Sequence, residues 1–442
     1  MATAEQPGRT VERAVEAAWR IEWPQLAAVL TRLLGDIGTA EDVAQEANLA
    51  ALEQWPRDGV PANPGAWLMV TAKRRAIDRI RREETLARKQ PLLESEALGA
   101  ADAPDREEID DDLLRMFFTA CHPVLPRASQ VALTLRMVGG LTTEEIARAH
   151  VQPTSTIVRR ISRAKKTIRD AGIPYVVPAG AELAERLDAV LEVVYLVFNE
   201  GYAATAGEGW MRTELSFDAL RLARILCGLL PSEPEVFGLA ALLELQASRL
   251  RARHDPDGQL VLLRDQDRTK WDRLLIRRGF AALARSHALA RARGEAPGPY
   301  ALQAAIASAH ALAATPEQTD WRRIAGLYAV LAARHPSPIV EINRAVAVAE
   351  VHGPAAGLEL VDAVVASGTI DGYHLLHAVR GDLLARLGRG DEARAEFLRA
   401  ADLTDNAAER ALLRARAGEA EGRDARAGEA EGRDARAASV ER

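Results

Sequence analysis

The stretch LTTEEIARAHVQPTSTIVRRISRAKK, residues 141–166, constrains this chain more than any other. LTTEEIARA predicts a short helix capped by Thr142 or Thr143. HVQP follows, and Pro153 forbids one continuous helix, because its ring clashes with the preceding turn and it has no N–H to donate. Thr154 is placed to cap a second helix through its side-chain oxygen. There Ile157, Ile161, Ala164 and Ile168 recur at intervals of four, three and four residues and form one apolar stripe. Arg159, Arg160, Arg163, Lys165 and Lys166 fall outside the stripe, and Thr154, Ser155 and Thr156 keep the helix start short and uncharged. Two helices at a tight turn, the second cationic along its outer side, make a helix-turn-helix suited to phosphates and base edges. A packed helical hairpin shares the apolar pattern, but the one-sided charge argues against it.

The net charge of −6 would be wrong for a nucleic-acid binder if it were spread evenly. It is segregated instead. Residues 73–89 hold eight basic and three acidic side chains, residues 94–112 hold nine acidic and one basic, and residues 154–169 hold six basic and none acidic. Local field, not the total, governs phosphate contact.

With 442 residues the chain has room for two to four domains. It is 48% hydrophobic but only 5% aromatic, and Ala, Leu and Arg are abundant, which favours helices. No apolar run of about eighteen residues suggests a membrane span, and the N-terminus lacks the apolar core of a secretory signal. A cytoplasmic location is therefore expected. Cys121 and Cys227 stand far apart and outside any metal-ligand spacing, as in a reducing compartment. The nine histidines show no HxxxH pattern, so neither a metal nor a cofactor is expected.

The expected fold is all-α. Residues 11–90 read as one helical domain. Leu26, Val29, Leu30 and Leu33 share a helix face, and Thr39 is a plausible cap for the next helix, with Asp42 three residues on. Val43, Ala47, Ala50 and Ala51 line the apolar side of that helix, leaving Asp42, Gln45 and Glu46 in water. PRDGVPANPG, residues 56–65, is a loop. The following helix turns Trp67, Val70, Ile77 and Ile80 inward, with Lys73, Arg74, Arg75, Arg79, Arg81 and Arg82 on its polar faces. Residues 91–108 read as a flexible acidic linker and residues 109–172 as a second small helical domain. From 177 to 414 amphipathic helices follow at short spacing. Gly381, Ala393, Phe397 and Ala400 sit at tetratricopeptide (TPR) offsets, with a weaker copy at PIVEINRAVAVAEVHGPAAGLELVDAV. Residues 415–442, with ARAGEAEGRD in tandem, read as a disordered or frayed tail.

TAEDVAQEANLAALEQWP, the Asn-containing loop, TAKRRAIDRIRR and TIVRRISRAKKTIR occur in one order across residues 11–172. In that order they resemble bacterial RNA polymerase sigma factors of the sigma-70 family. The likeness is to the minimal extracytoplasmic-function type, which keeps sigma regions 2 and 4. VYLVFNEGYAAT, LLPSEPEVFGLAALL, LVLLRDQDRTKWD and GPYALQAAIASAH look like the subgroup with a fused C-terminal TPR-like domain. The resemblance implies that Asp42, Gln45 and Glu46 lie in the helix that docks on core RNA polymerase. It implies that Asn63 captures a flipped base of the −10 element. Lys73, Arg74, Arg75, Arg79, Arg81 and Arg82 would hold the −10 backbone, with Asp78 an internal partner of arginine. Residues 154–166 would enter the major groove of the −35 element of promoter DNA, and Val158 departs from the basic or polar residue many relatives carry there. The C-terminal domain would regulate or support activity, through a regulatory protein or an intramolecular contact.

Two rivals stay open at this point. One is a one-component helix-turn-helix regulator with a ligand- or protein-binding C-terminal domain. The other is an enzyme built on Asn199, Glu200, Tyr202, Asp265, Asp267 or His310. Their spacing compels no chemistry, so no enzymatic activity is expected, and FNEGY reads as a capped turn with a packed tyrosine.

Overall fold

The computed structural model describes residues 7–87, 106–150, 152–203, 210–253, 255, 261–404, 406 and 409–421. Every regular element among them is helical. Contacts divide the chain into two compact units, the first comprising Met1–Val197 and Arg224–Pro231, the second Phe198–Ala223 and Ser232–Arg442.

The first unit opens with α1 (Pro7–Leu34), α2 (Ile37–Asp58) and α3 (Pro64–Ala87). Gly35, at φ 69°, ends α1 in a left-handed conformation that favours glycine. Asp36 then caps α2, its Oδ1 accepting from the N–H of Thr39 at 2.8 Å and from its hydroxyl at 2.9 Å. The expected cap at Thr39 is thus corrected to Asp36, which the turn places one position before the first helical residue. Val43, Ala47, Ala50 and Ala51 are buried on α2 as their spacing required. On α3 the stripe is displaced: Leu68, Met69, Ala72 and Ala76 are buried, whereas Trp67, Val70, Ile77 and Ile80 are only half-buried. Trp67 lies edge-on to the buried Trp55, ring centroids 5.5 Å apart.

The second part of this unit is α4 (Arg106–Ala120), α5 (Arg127–Met137), α6 (Thr143–Ala149) and α7 (Thr154–Asp170), closed over Phe117, Phe118, Leu133, Leu135, Ile146 and Ile157. The two parts are packed together. On α1 every residue from Leu26 to Leu30 is fully buried, too many for one amphipathic face, because α1 touches α2 and α3 on one side and α4 and α5 on the other. Trp23 of α1 donates its indole N–H to the carbonyl of Arg136 at 2.8 Å. The Arg136 guanidinium lies 4.7 Å from the centre of that ring. Arg32 bonds the buried Asp112 at 2.8 Å, and Arg115 completes its shell at 2.6 Å. The Tyr175 hydroxyl lies 3.1 Å from the carbonyl of Ala28 and 2.8 Å from that of Asp112, and its single proton is shared between them. Helix α8 (Ala181–Ala203) belongs to this unit as far as Val197, beyond the boundary expected at 177. Arg186 donates to the carbonyl of Phe118 at 2.7 Å, and Arg127 pairs with Glu192.

The second unit holds α9 (Trp210–Leu229) up to Ala223, then α10 (Pro234–Ala247), α11 (Arg273–Ala292), α12 (Pro299–Leu312), α13 (Trp321–Arg334), α14 (Pro338–His352), α15 (Pro354–Ser367), α16 (His374–Arg386), α17 (Gly390–Leu403) and α18 (409–421). From α13 to α17 neighbouring helices pair through short loops, whereas α10 and α11 pair across the longer segment 248–272 and α10 also packs on α12. A methyl on Gly381 of α16 would meet the Phe397 ring at 2.9 Å and the Ala393 carbonyl at 3.2 Å, so the TPR offsets mark a true close approach of α16 and α17. Helix α18 continues to residue 421, past the expected start of the tail at 415, because Ala417 and Ala420 are buried and Arg416 reaches Asp382 and covers the Phe397 ring. Residues 422–442 and the greater part of the acidic linker lie outside the described residues. FNEGY, expected as a turn, continues inside α8, where Tyr202 stacks on Phe198 with centroids 5.4 Å apart.

Candidate nucleic-acid interface

Thr142 and Glu145 cap α6 reciprocally: the Glu145 N–H bonds the Thr142 hydroxyl at 3.1 Å, and the Thr142 N–H bonds the Glu145 carboxylate at 2.8 Å. Pro153 occupies the cap position of α7, and Thr154 is already helical, which corrects the expectation that Thr154 caps through its side chain. Ile157, Ile161, Ala164 and Ile168 are all buried, so the opposite side of α7 faces outward. That side presents Thr154, Ser155, Val158, Arg159, Arg163 and Lys166, with Thr156 and Arg160 half-buried at its margin. Thr156, Arg159, Arg160 and Arg163 also line a shallow cleft with Leu125, Pro126 and Ser129. The cleft is cationic and open, a shape suited to a phosphate backbone.

Lys165 is placed differently from its neighbours. Its side chain is 14% exposed and its ammonium pairs with Glu41 of α2, itself 12% exposed. Arg136 takes the other oxygen of the same carboxylate through Nε at 2.8 Å. Burial pulls the Lys165 ammonium down to about 8 and lowers Arg136 as well. One turn on, Arg169 lies 3.4 Å from Asp36. Burial raises the Asp36 carboxyl, but its bonds from Thr39 and the charges of Arg169 and Lys165 hold it below its ordinary value overall.

On α2, Asp42, Gln45 and Glu46 are exposed side by side. Leu49 and Leu52 extend the same outward surface at 58% and 40% exposure. Inspection of the sequence passes over these two leucines, although they fall outside the Val43–Ala47–Ala50–Ala51 stripe and so must face solvent or a partner. Glu46 also meets Arg75 of α3 at 3.2 Å. Asn63 is exposed just before α3, its Oδ1 accepting from the Ala66 N–H at 3.0 Å. It therefore caps α3 through its oxygen. Arg74, Arg81 and Arg82 are exposed on α3, and Lys73, Arg75 and Arg79 are half-buried. Asp78 is exposed.

The polar side chains weighed as catalytic candidates do not converge. Asp267 caps a short turn through Thr269, His310 lies edge-on to Trp321 at 5.3 Å, and the half-buried Tyr202 accepts from Arg249 at 3.1 Å. Among the described residues no group of three or more His, Cys, Asp and Glu side chains could hold a metal ion, and no helix is long and apolar enough to cross a membrane.

Comparison with known proteins closes the question of family. The family model for sigma-70 region 2 matches residues 22–85, and that for sigma-70 region 4 matches residues 118–168, both within the first unit. The chain belongs to the sigma-70 family. It is a promoter-directing sigma factor of the extracytoplasmic-function type, with a C-terminal extension. Residues 186–287 match a family of unknown function, DUF6596. An uncharacterized protein of Rhizobium meliloti is 44% identical over 396 residues, covering 88% of this chain and 92% of that protein. The probable ECF RNA polymerase sigma factor SigI of Mycobacterium tuberculosis is 29% identical over 164 residues, 36% of this chain and 56% of SigI. The ECF RNA polymerase sigma factor SigK of the same species is 29% identical over 151 residues, 32% of this chain and 76% of SigK. Among solved structures, yeast Tom70 aligns at a TM-score of 0.29 and 13% identity, over 93% of this chain and 86% of Tom70.

Proposed function

We propose that this sigma factor reads the −35 element with the outward side of α7 and the −10 element with the start and polar faces of α3, while α2 docks on core polymerase. The observation that carries this reading is the division of α7 into a buried apolar stripe and an outer side bearing Arg159, Arg163 and Lys166. The small Thr154 and Ser155 at the helix start leave room for close approach, and the exposed Val158 offers an apolar contact of the kind a thymine methyl takes. On α3, Asn63 would meet a flipped base, with Arg74, Arg81 and Arg82 toward the backbone. On α2, acidic side chains beside Leu49 and Leu52 suit a partner surface that is basic with an apolar centre. The helical-repeat unit acts as a built-in regulatory or supporting module that takes a protein partner, and the chain catalyses nothing itself. It works in the cytoplasm, where polymerase is.

Run-off transcription with purified core polymerase tests this. Arg159→Ala and Arg163→Ala are each expected to weaken −35 binding and to flatten the slope of log K against log salt by about 0.9, the share of one phosphate contact. Promoter-specific transcripts unchanged in both variants would sink the assignment of α7. Equally tight and specific promoter binding with no polymerase present would favour a one-component regulator instead.

A further inference from the structure

We propose that Asp36 and Glu41 stand in for DNA phosphates within the free chain, holding Arg169 and Lys165 of α7 in a closed state that duplex DNA must displace. The proposal rests on the reading of α7 as the −35 helix. Its basis is that one carboxylate serves two cations: the Glu41 oxygens are divided between Arg136 and Lys165, and all three side chains are at least 86% buried. A phosphate presents acceptors to cations in the same way, and a Lys165 ammonium buried on Glu41 must leave that carboxylate to reach a phosphate outside. Asp36 pairs with Arg169 at 3.4 Å at the rim of this cluster, where the arginine side chain stays 59% exposed.

The carboxylates do not act alone. The Trp23 indole on the Arg136 carbonyl and the Tyr175 hydroxyl between Ala28 and Asp112 fasten region 2 to region 4 at two further points. Tyr175 stands just beyond the matched region 4, at the start of the segment that leads into the extension. The closed state withholds Lys165, engages Arg169 at its rim and fixes the separation of the two reading heads. It leaves Asp42, Gln45, Glu46, Leu49 and Leu52 exposed, so the docking face remains available. Polymerase therefore engages first, and promoter phosphates then exchange with Asp36 and Glu41.

The test uses the full chain without polymerase. Fluorophores at Arg57→Cys and Asp170→Cys, both exposed positions, report the distance between the modules in a Cys227→Ser background. Binding to a −35 duplex is measured over a range of salt. The parent chain is expected to show a single short distance. Glu41→Gln should lengthen it, tighten −35 binding by about tenfold and steepen the salt slope by about 0.9 as Lys165 becomes free for a phosphate. Tyr175→Phe removes one hydroxyl and leaves the DNA-facing side chains alone, so it should move the same readouts in the same direction, by about threefold in affinity. If Arg159→Ala weakens −35 binding but neither variant changes distance or affinity, the closed state is overturned. A changed distance with unchanged affinity and slope overturns the phosphate role of Glu41. If Arg159→Ala also leaves binding intact, the fault lies in the reading of α7.

Discussion

His310 shows how a single residue escapes a sequence reading. Its position in the apolar stretch LQAAIASAHAL gives no sign of the two arginines that approach it, yet it is 9% exposed and its ring meets Trp321. Burial, and then the charges of Arg249 and Arg268, push its imidazole down to about 4. The unfolded chain binds the proton near the ordinary value of 6.5 and the folded chain only near 4. Folded stability therefore falls as pH drops through that window and is insensitive to this group above it. The full penalty is roughly 3 kcal/mol. His310→Phe keeps the ring and removes the titration, so the loss of denaturation midpoint between pH 7 and pH 4.5 should be visibly smaller in the variant. Equal losses in both chains would refute it. Lys165 escapes for the same reason: its spacing on α7 places it outside the apolar stripe, and only the approach of α2 buries it. The four apolar residues of α7 needed no such help, since helical spacing alone fixes which side they share.

Elements were legible where one local rule dominates. The Gly–Ala–Phe–Ala offsets located the pairing of α16 with α17 because only a residue without a side chain lets Phe397 lie across the partner helix. The weaker copy at 338–364 contains a stricter case. A methyl on Gly357 of α15 would meet the Ala345 carbonyl and the Ala349 methyl at 2.7 Å. A helical carbonyl cannot rotate away as a side chain can. Gly357→Ala should therefore destabilise the chain by about 1–3 kcal/mol, against a helix-propensity gain of about 1 kcal/mol, as read by urea denaturation. A neutral or stabilising result would show that α14 and α15 do not approach as closely as described. Caps and stripes on α2 and α3 were harder to place, because Asp36 and Thr39 are both good caps within one turn and α3 has apolar residues on adjacent faces. Leu49 and Leu52 escape because an amphipathic pattern counts apolar residues toward the core, whereas these two lie on the exposed side of α2.

At the scale of the whole molecule, the acidic stretch between the two cationic modules reads as a spacer, and the modules read as independent. The structure instead packs α1 against both, and the width of apolar surface on α1 was the sign of it. Closure is then an intramolecular equilibrium between two surfaces joined through residues 88–105. Polymerase and promoter can shift it only by the difference in their affinity for the open and closed states. The entropic cost of bringing the ends of a tether together rises slowly with its length, by about 0.6 kcal/mol for each doubling. Doubling residues 88–105 with inserted Gly and Ser should raise the open fraction of the free chain about threefold, and its −35 affinity by the same factor, without altering any side chain that touches DNA. Once core polymerase holds both modules, the tether no longer sets their separation, so the same insertion should change promoter use by the assembled enzyme much less. Anisotropy titrations of the free chain and run-off yields of the assembled enzyme separate the two effects. A free-chain affinity indifferent to tether length would mean that the two modules do not compete with DNA for each other.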